Sequence, residues 1–213
     1  MLSWDEIRQW RRERRAELIE RRIALPQQQR ADFTDRIRRT IGEALPQLKD
    51  ALIGFYWPIR GEVGLHGLVR ELIAAGARAA LPVVVAKGQP LEFRAWQPGA
   101  RMARGVWNIP IPAAGPVVRP SALLVPLVGF DNRGYRLGYG GGFYDRTLAA
   151  LNPKPLAIGV GYELGRLATI HPQPHDVPMD ALVTEAGVVH FRHRDLPPDP
   201  DADSREPYCQ FDI

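Results

Sequence analysis

The chain has 213 residues, of which 45% are hydrophobic and 24% are charged, and its formal net charge is +4. That length suits one domain with at most a small appendage, and the apolar fraction is enough for a sizeable core. The sequence has no uncharged apolar run of about 18 residues and no apolar leader after its charged start, so we expect neither a membrane span nor a secretory signal. Cys209 is the only cysteine, so we expect no intrachain disulfide and no multi-cysteine metal site. A cytoplasmic protein fits these features best.

Two helices are predicted at the N-terminus. Ser3 and Glu6 form a capping-box pattern ahead of an arginine-rich helix, which should end near Leu25 because Pro26 cannot continue it. Pro26 can open a second helix that runs through Leu45, with apolar residues at positions 33, 37, 41 and 45 on one face.

The positive charge is concentrated in this helix pair. Residues 8–39 hold eleven arginines against five acids, a bias that favours anionic partners such as nucleotides, nucleic acids or polyanionic metabolites. We expect most of these arginines on a solvated helix face, with one or two at a binding site.

Beyond the helix pair, strands alternate with helices. Apolar runs predict strands at 51–57, 77–85, 91–96, 121–130, 155–163 and 180–191, the fourth bent or ended by Pro126. Helices are predicted at 61–76, ended by Gly76, and at about 143–151. This order indicates a three-layer α/β/α fold with a mostly parallel, Rossmann-like sheet that binds ligands at the carboxyl edge of its strands. We expect one domain over residues 1–195 and a flexible Pro/Asp-rich tail over 196–213.

A glycine-rich segment lies between a predicted strand and a predicted helix. Its glycines stand at four of five positions, and they are Gly138, Gly140, Gly141 and Gly142. Bare backbone N–H groups can approach an anion closely there, and the N-terminus of the following helix reinforces the attraction. Arg136, just before the glycines, can add a charge-assisted bond to a phosphate.

The residues after the glycines suggest a metal and a flat ligand. Asp145 would repel a phosphate unless a cation lies between them, and Mg²⁺ bridging the carboxylate and the phosphates removes that conflict. Tyr139, Phe143 and Tyr144 offer aromatic faces to a planar ring. The alternative is a flexible turn with an N-capped helix and aromatics that only pack. The segment is neither a Walker A loop nor the G-x-G-x-x-G dinucleotide fingerprint.

The run "FDNRGYRLGYGGGFYDR" resembles the signature of the 5-formyltetrahydrofolate cyclo-ligase family, also called methenyltetrahydrofolate synthetases. That signature is roughly F-D-x-x-G-x-R-L-G-x-G-x-G-[YF]-Y-D, and every fixed position is met. The supporting segments, which agree in order and spacing over roughly residues 8–190, are "ALPQQQR", "GEV" (61–63), "ALPVV", "WNIPIP" (107–112) and "HDVPMDALVTEAG" (175–187).

The resemblance implies a CoA-transferase-like α/β/α fold and an ATP-dependent ring closure. The family uses Mg·ATP to convert 5-formyltetrahydrofolate to 5,10-methenyltetrahydrofolate, ADP and phosphate. The expected partners are ATP and the folate, which can carry several glutamates, with no membrane or nucleic acid, and the expected assembly is a monomer or a small homo-oligomer.

The resemblance also implies roles for individual residues. The expected ATP-binding residues are Arg11, Arg15, Arg136, Leu137, Gly138, Tyr139, Gly140, Gly141, Gly142, Phe143 and Tyr144, with Arg136 and Tyr144 expected to act in catalysis. The expected folate-binding residues are Trp57, Glu62, Trp107, Tyr139, Gly140 and Phe143. Asp145 and Asp176 are the expected Mg²⁺ ligands. Two of these assignments have plainer alternatives, since Glu62 can be a helix-start charge and Asp176 a turn residue.

The chain departs from its family in the first helix. The family typically has a lysine and, four residues later, an arginine for the ATP phosphates, whereas Arg11 and Arg15 stand at these positions. They share a helix face, but Arg12 and Arg14 are rivals if the alignment is shifted by one residue. Two other functions stay open: a divergent nucleotide-dependent enzyme acting on another small molecule, and a basic nucleic-acid-binding protein.

Overall fold

The computed structural model describes residues 3–190, so the tail expected over 196–213, including Cys209, lies outside the described part of the chain. The α-helices within it are α1 (Trp4–Ile23), α2 (Gln27–Ala44), α3 (His66–Ala74) and α4 (Phe143–Ala150). The strands are β1 (Leu52–Gly54), β2 (Arg78–Val83), β3 (Glu92–Trp96), β4 (Met102–Arg104), β5 (Pro110–Pro112), β6 (Val117–Val118), β7 (Ala122–Pro126), β8 (Gly129–Asp131), β9 (Arg136–Leu137), β10 (Leu156–Val160), β11 (Arg166–Leu167), β12 (Ala181–Thr184) and β13 (Gly187–His190). Short 3₁₀ turns lie at Pro46–Asp50, Val106–Asn108 and Glu163–Gly165.

The N-terminal helix pair forms as its sequence predicts. Ser3 Oγ accepts the N–H of Glu6 at 3.3 Å, and the Glu6 carboxylate accepts the N–H of Ser3 at 2.7 Å, which completes the capping box. Helix α1 ends at Ile23, and Pro26 is the N-cap residue of α2. The predicted boundary between the helices is therefore confirmed.

The central sheet has eight strands in the order β13-β12-β10-β7-β1-β2-β3-β6. The five strands from β12 to β2 pair in parallel, whereas β13, β3 and β6 pair antiparallel with their neighbours. The expected mostly parallel sheet is confirmed.

The core lies on both faces of this sheet. Along β7, Leu124 packs in the cluster that contains Ile37 of α2, and Leu123 packs in the cluster that contains Leu148 of α4. Because successive side chains of a strand point to opposite faces, both faces of the sheet need a covering helix, which gives the three layers. No helix between residues 3 and 190 is long and apolar enough to cross a membrane.

Three predicted elements differ from the structure. The run 180–191, predicted as one strand, contains the two antiparallel strands β12 and β13. Residues 61–65 form an irregular turn, and α3 begins only at His66, because Arg60 and Gly61 have positive φ values of 47° and 76° that no right-handed helix accepts. The apolar run 121–130 divides into β7 and β8 at Pro126, which cannot donate to the strand ladder. Strand β8 then pairs with β9 and β11 in a separate three-stranded sheet, which was not predicted.

Candidate active site

The glycine-rich loop, residues 138–142, connects β9 of the small sheet to α4. Gly142 is the N-cap of α4 with φ +63°, and Gly140 has φ +92°. Both values fall in the left-handed region that glycine adopts without strain. The glycines therefore let the chain turn sharply from strand to helix with its backbone uncovered.

Asp131, at the second fixed position of the signature, supports the turn that leads to this loop. Its buried carboxylate accepts the backbone N–H groups of Arg133 at 3.0 Å, Tyr135 at 3.3 Å and Ile170 at 3.3 Å. An aspartate side chain that satisfies three backbone donors fixes the β8–β9 turn. The sequence interpretation gave this residue no role.

Three arginine side chains bind atoms of the glycine-rich loop. Arg15 Nε donates to the carbonyl of Gly138 at 2.8 Å, and Arg146 Nη2 donates to the carbonyl of Gly141 at 2.5 Å. Arg22 Nη2 donates to the hydroxyl of Tyr139 at 2.6 Å. Burial, and then repulsion by Arg11, lower the pKa of Arg15. The loop is thus surrounded by positive charge suited to a polyanion.

Arg136 and Asp145 form an ion pair beside the loop. Arg136 Nη2 lies 3.0 Å from Asp145 Oδ2, and the two side chains are 4% and 19% exposed. They also hold the Val177 residue from both sides, since Arg136 Nη1 donates to its carbonyl at 3.0 Å and Asp145 Oδ1 accepts its N–H at 3.1 Å. Two residues that sequence analysis assigned to phosphate and metal therefore adjoin each other.

Tyr144 lies under the guanidinium of Arg136. The Arg136 guanidinium carbon is 5.9 Å from the centre of the Tyr144 ring. Burial, and then the negative charge of Glu62, raise the pKa of Tyr144 far above its ordinary value, so its hydroxyl stays protonated. In this state the residue can donate a hydrogen bond but cannot serve as a base at neutral pH.

Arg11 and Asp176 form a second ion pair next to the first. Arg11 Nη2 lies 2.5 Å from Asp176 Oδ2, and both side chains are 9% exposed. Arg11 also donates to the carbonyls of Ile170 at 3.0 Å and His171 at 2.9 Å. Arg11, which was expected to bind ATP, thus connects α1 to residues 170–176.

The alignment rivals of Arg11 do not point to this region. Arg12 bonds to Gln9 and Arg14 pairs with Glu17, both along the surface of α1. Arg11 and Arg15 face the site together, as their spacing of four residues predicts.

The two expected metal ligands lie on neighbouring segments, because Asp145 accepts the N–H of the residue that follows Asp176. Between residues 3 and 190 no group of three or more His, Cys, Asp or Glu side chains can hold a metal ion. Mg²⁺ commonly takes one or two carboxylates and completes its shell with substrate phosphates and water. The site has two carboxylates, those of Asp145 and Asp176, the number such an ion commonly takes, and each is paired with an arginine.

Glu62 and Tyr139 join the turn at 57–62 to the glycine-rich loop. The Tyr139 hydroxyl donates to Glu62 Oε1 at 2.8 Å, and Glu62 Oε2 accepts the N–H of Ile59 at 2.8 Å. Burial raises the pKa of Glu62, while the Ile59 N–H and then Arg22 oppose that rise. A cleft of about 490 Å³ opens beside Glu62, between this turn and helix α2.

The two expected folate-contacting tryptophans lie in different surroundings. Trp107 is 68% exposed in the connection between β4 and β5, and its ring meets the edge of Phe143 with centroids 5.8 Å apart. Trp57 is partly buried, and its ring contacts His66 at a centroid distance of 4.5 Å. Trp107 therefore contacts the first residue of α4, directly after the glycine-rich loop, whereas Trp57 belongs to the turn that carries Glu62.

Sequence reasoning missed two arginines of this site. Arg22 lies eleven residues after Arg11, a spacing of about three helical turns that places both on the inner face of α1. Arg146 follows Asp145 directly, where it was counted only as part of a helix. Arg11, Arg15 and Arg22 all face inward from α1, whereas the sequence predicted only one or two arginines of the helix pair at a binding site.

Comparisons with known proteins show which family the chain resembles. A model of the 5-formyltetrahydrofolate cyclo-ligase family matches residues 7–185. The 5-formyltetrahydrofolate cyclo-ligase of Escherichia coli K12 is 29% identical over 177 residues, covering 79% of this chain and 97% of that protein. The 5-formyltetrahydrofolate cyclo-ligase of Mycolicibacterium smegmatis is 31% identical over 189 residues, covering 84% of this chain and 95% of that protein.

Solved structures give the same result. The NMR structure of Aquifex aeolicus 5,10-methenyltetrahydrofolate synthetase superimposes with a TM-score of 0.74 at 30% identity, covering 88% of this chain and 96% of that one. The Mycoplasma pneumoniae 5,10-methenyltetrahydrofolate synthetase, at 23% identity and a TM-score of 0.68, shares the fold. The resemblance seen in the glycine-rich segment is therefore confirmed over most of the chain.

Proposed function

The chain belongs to the 5-formyltetrahydrofolate cyclo-ligase family and is an enzyme of the ligase class, and from this premise we propose that it uses Mg·ATP to convert 5-formyltetrahydrofolate to 5,10-methenyltetrahydrofolate, releasing ADP and phosphate. The observation that carries the proposal is the glycine-rich loop bound by three arginines, next to the Arg136–Asp145 pair.

The reaction needs an activated formyl oxygen. An amide oxygen is a poor leaving group, so the γ-phosphoryl group of ATP is transferred to it and ADP departs. The N10 nitrogen of the folate then attacks the formyl carbon and loses its proton, and the C–O bond breaks. Phosphate leaves with the former formyl oxygen, and the methenyl bridge remains. The protein's contribution is to position the two substrates and to neutralise charge.

The triphosphate occupies the surface of the glycine-rich loop in this proposal. The backbone N–H groups of residues 138–142 and of the first turn of α4 face the phosphates, where the helix dipole adds to the attraction. Arg15, Arg136 and Arg146 provide the nearby positive charge, and Arg136 is the residue that stabilises the transferring phosphoryl group. Arg11 adds positive charge through its ion pair with Asp176.

Asp145 and Asp176 would hold a magnesium ion together with the phosphates. When bound, the ion supplies neutralisation of the charge on the triphosphate. The two aspartates that would hold the ion are each paired with an arginine, so carboxylates for a cation and guanidinium groups for phosphate oxygens lie at the same place.

The folate lies between the loop and the Glu62 turn in this proposal. A carboxylate that already accepts the Tyr139 hydroxyl and a backbone N–H can accept the N–H donors of a pterin. Trp107 and Phe143 offer an aromatic wall, and Trp57, whose ring packs on His66, offers a further aromatic face at the Glu62 turn.

The test is to mix the purified protein with 5-formyltetrahydrofolate and Mg·ATP and to follow the methenyl absorbance together with ADP release. Product formation that requires all three components supports the proposal. Folded protein that gives no methenyl product contradicts it. ADP release that is stimulated by another small molecule, with none on addition of the folate, would instead assign the chain to a divergent nucleotide-dependent enzyme.

A further inference from the structure

Arg22 is a buried cation to which the proposed reaction assigns no role. It is 3% exposed at the inner face of α1, and all three of its nitrogens donate hydrogen bonds. Nε donates to the carbonyl of Arg60 at 3.0 Å, and Nη1 donates to the carbonyl of Leu127 at 3.1 Å. Nη2 donates to the Tyr139 hydroxyl at 2.6 Å.

These three acceptors belong to three separate segments. Arg60 lies in the turn that carries Glu62, Leu127 follows β7, and Tyr139 lies in the glycine-rich loop. One side chain therefore fixes the relative position of the expected folate-binding turn and the expected nucleotide-binding loop. The planar guanidinium suits this task, because its donors have a fixed geometry that a lysine lacks.

The hydroxyl of Tyr139 completes the connection. It accepts from Arg22 and donates to Glu62 Oε1 at 2.8 Å, which forms an Arg22–Tyr139–Glu62 chain of hydrogen bonds. The guanidinium carbon of Arg60 lies over the Tyr139 ring, 5.8 Å from its centre. This contact is with the ring and not with the hydroxyl. The direction of the hydroxyl is thus set by Arg22 and Glu62.

We propose that Arg22 is a positioning residue that holds Tyr139 against Glu62, so that the glycine-rich loop and the Glu62 turn form one folate-binding surface. This inference rests on the proposed function, because Glu62 is assigned to the folate there. Arg22 itself acts through Tyr139 and does not touch the reacting atoms. Its removal should weaken folate binding more than it slows the chemical step.

Two kinds of measurement test this role. Steady-state kinetics of Arg22→Met, Arg22→Lys and Tyr139→Phe give KM for 5-formyltetrahydrofolate and kcat separately, with Arg21→Met as the matched control on the exposed face of α1. Hydrogen exchange of the free proteins reports on peptides that cover residues 57–64, residues 136–144 and strand β10. The exchange measurement needs no substrate, so it remains informative if the wild-type protein forms no methenyl product and the proposed function fails.

We expect Arg22→Met and Tyr139→Phe each to raise the folate KM about tenfold, as for the loss of one hydrogen bond to a charged group, with kcat reduced much less. Their double variant should show little further loss, because both remove the same link. Exchange should rise at 57–64 and 136–144 but not in β10, and Arg22→Lys should recover part of the effect.

Other outcomes overturn the inference. An unchanged folate KM in Arg22→Met would show that the link does not position the substrate. Exchange that rises equally in β10, with a normal KM in Tyr139→Phe, would show that Arg22 only stabilises the fold. If Arg22→Met does not fold, Arg22→Lys and Tyr139→Phe decide between these outcomes, and a wild-type KM in both would overturn the inference.

Discussion

Arg136 and Asp145 lie on either side of the glycine-rich loop and form an ion pair in which Nη2 and Oδ2 are 3.0 Å apart. The pair closes the loop, since one residue precedes the glycines and the other follows them in α4. It also holds the Val177 residue, which brings the segment that contains Asp176 to the same place.

Removing one partner of this pair should destabilise the protein strongly. We expect Arg136→Met or Asp145→Leu each to lower the free energy of unfolding by about 3 kcal/mol, because each leaves a buried charge uncompensated. The double variant should lose less than the sum of the two. Urea unfolding measures all three, with Asp32→Asn on the exposed surface of α2 as control, and additive losses would show that the two charges do not stabilise each other.

Arg11→Lys restores the residue that the family typically has at this position. Lysine cannot donate at once to Ile170, His171 and Asp176 as the guanidinium does. We expect the free energy of unfolding to fall by about 2 kcal/mol, as for the loss of two buried hydrogen bonds. An unchanged urea midpoint combined with tighter ATP binding would show that the arginine is a poor substitute for the family's lysine.

Alanine substitutions at Gly138 and Gly140 distinguish an effect on nucleotide binding from an effect on stability. A Cβ at Gly138 would meet nothing within 4 Å at an ordinary φ, whereas a Cβ at Gly140 would lie 3.3 Å from the Arg15 guanidinium at φ +92°. We therefore expect Gly138→Ala to keep its stability but to bind Mg·ATP about tenfold more weakly, because its methyl group occupies the space of a phosphate. Gly140→Ala should also lose about 1 kcal/mol of stability through backbone strain.

Titration calorimetry with a non-hydrolysable ATP analogue and urea unfolding provide the two readouts. Gly42→Ala on α2 is the control, since that position has the same open surroundings. Wild-type affinity in Gly138→Ala would mean that the phosphates approach another part of the loop.

The sequence predicted the parallel sheet and brought many of the expected site residues into one signature, because both depend on local patterns. The apolar runs identify β1, β2, β7 and β10, and the signature from Phe130 to Asp145 lies in one continuous segment. The capping box at Ser3 is likewise a local pattern. Such features need no knowledge of distant contacts.

Features that depend on distant partners were missed. The spacing from Arg11 places Arg22 on the inner face of α1, but its acceptors, Tyr139 and the carbonyl of Arg60, are distant in the sequence and no local pattern names them. The ion pair between Arg11 and Asp176 spans 165 positions for the same reason. The helix predicted from residue 61 began late because the backbone of Gly61 is left-handed, which composition alone did not show.

Glu62 should make stability depend on pH. Burial raises its pKa above the ordinary value of 4.5, so the folded state holds this proton more tightly than the unfolded state. Its contribution is therefore fully present below pH 4.5 and is lost as pH rises through the raised pKa. We expect Glu62→Gln to be more stable than the wild type at neutral pH, with a difference that disappears in acid.

Thermal unfolding of both proteins across this pH range measures the effect, with Glu20→Gln on the exposed face of α1 as the control. A stability difference between Glu62→Gln and the wild type that is the same at every pH would show that ionisation of Glu62 is not its cause.

The path of the formyl oxygen tests the proposed reaction most directly. The measurement uses 5-formyltetrahydrofolate labelled with ¹⁸O in its formyl group, together with unlabelled Mg·ATP and water, and follows the label by mass spectrometry of the released phosphate. If the γ-phosphoryl group is transferred to the formyl oxygen before N10 attacks, each phosphate carries one ¹⁸O atom for each methenyl product formed. Unlabelled phosphate released alongside methenyl product would show that ATP is hydrolysed by water and would contradict this account.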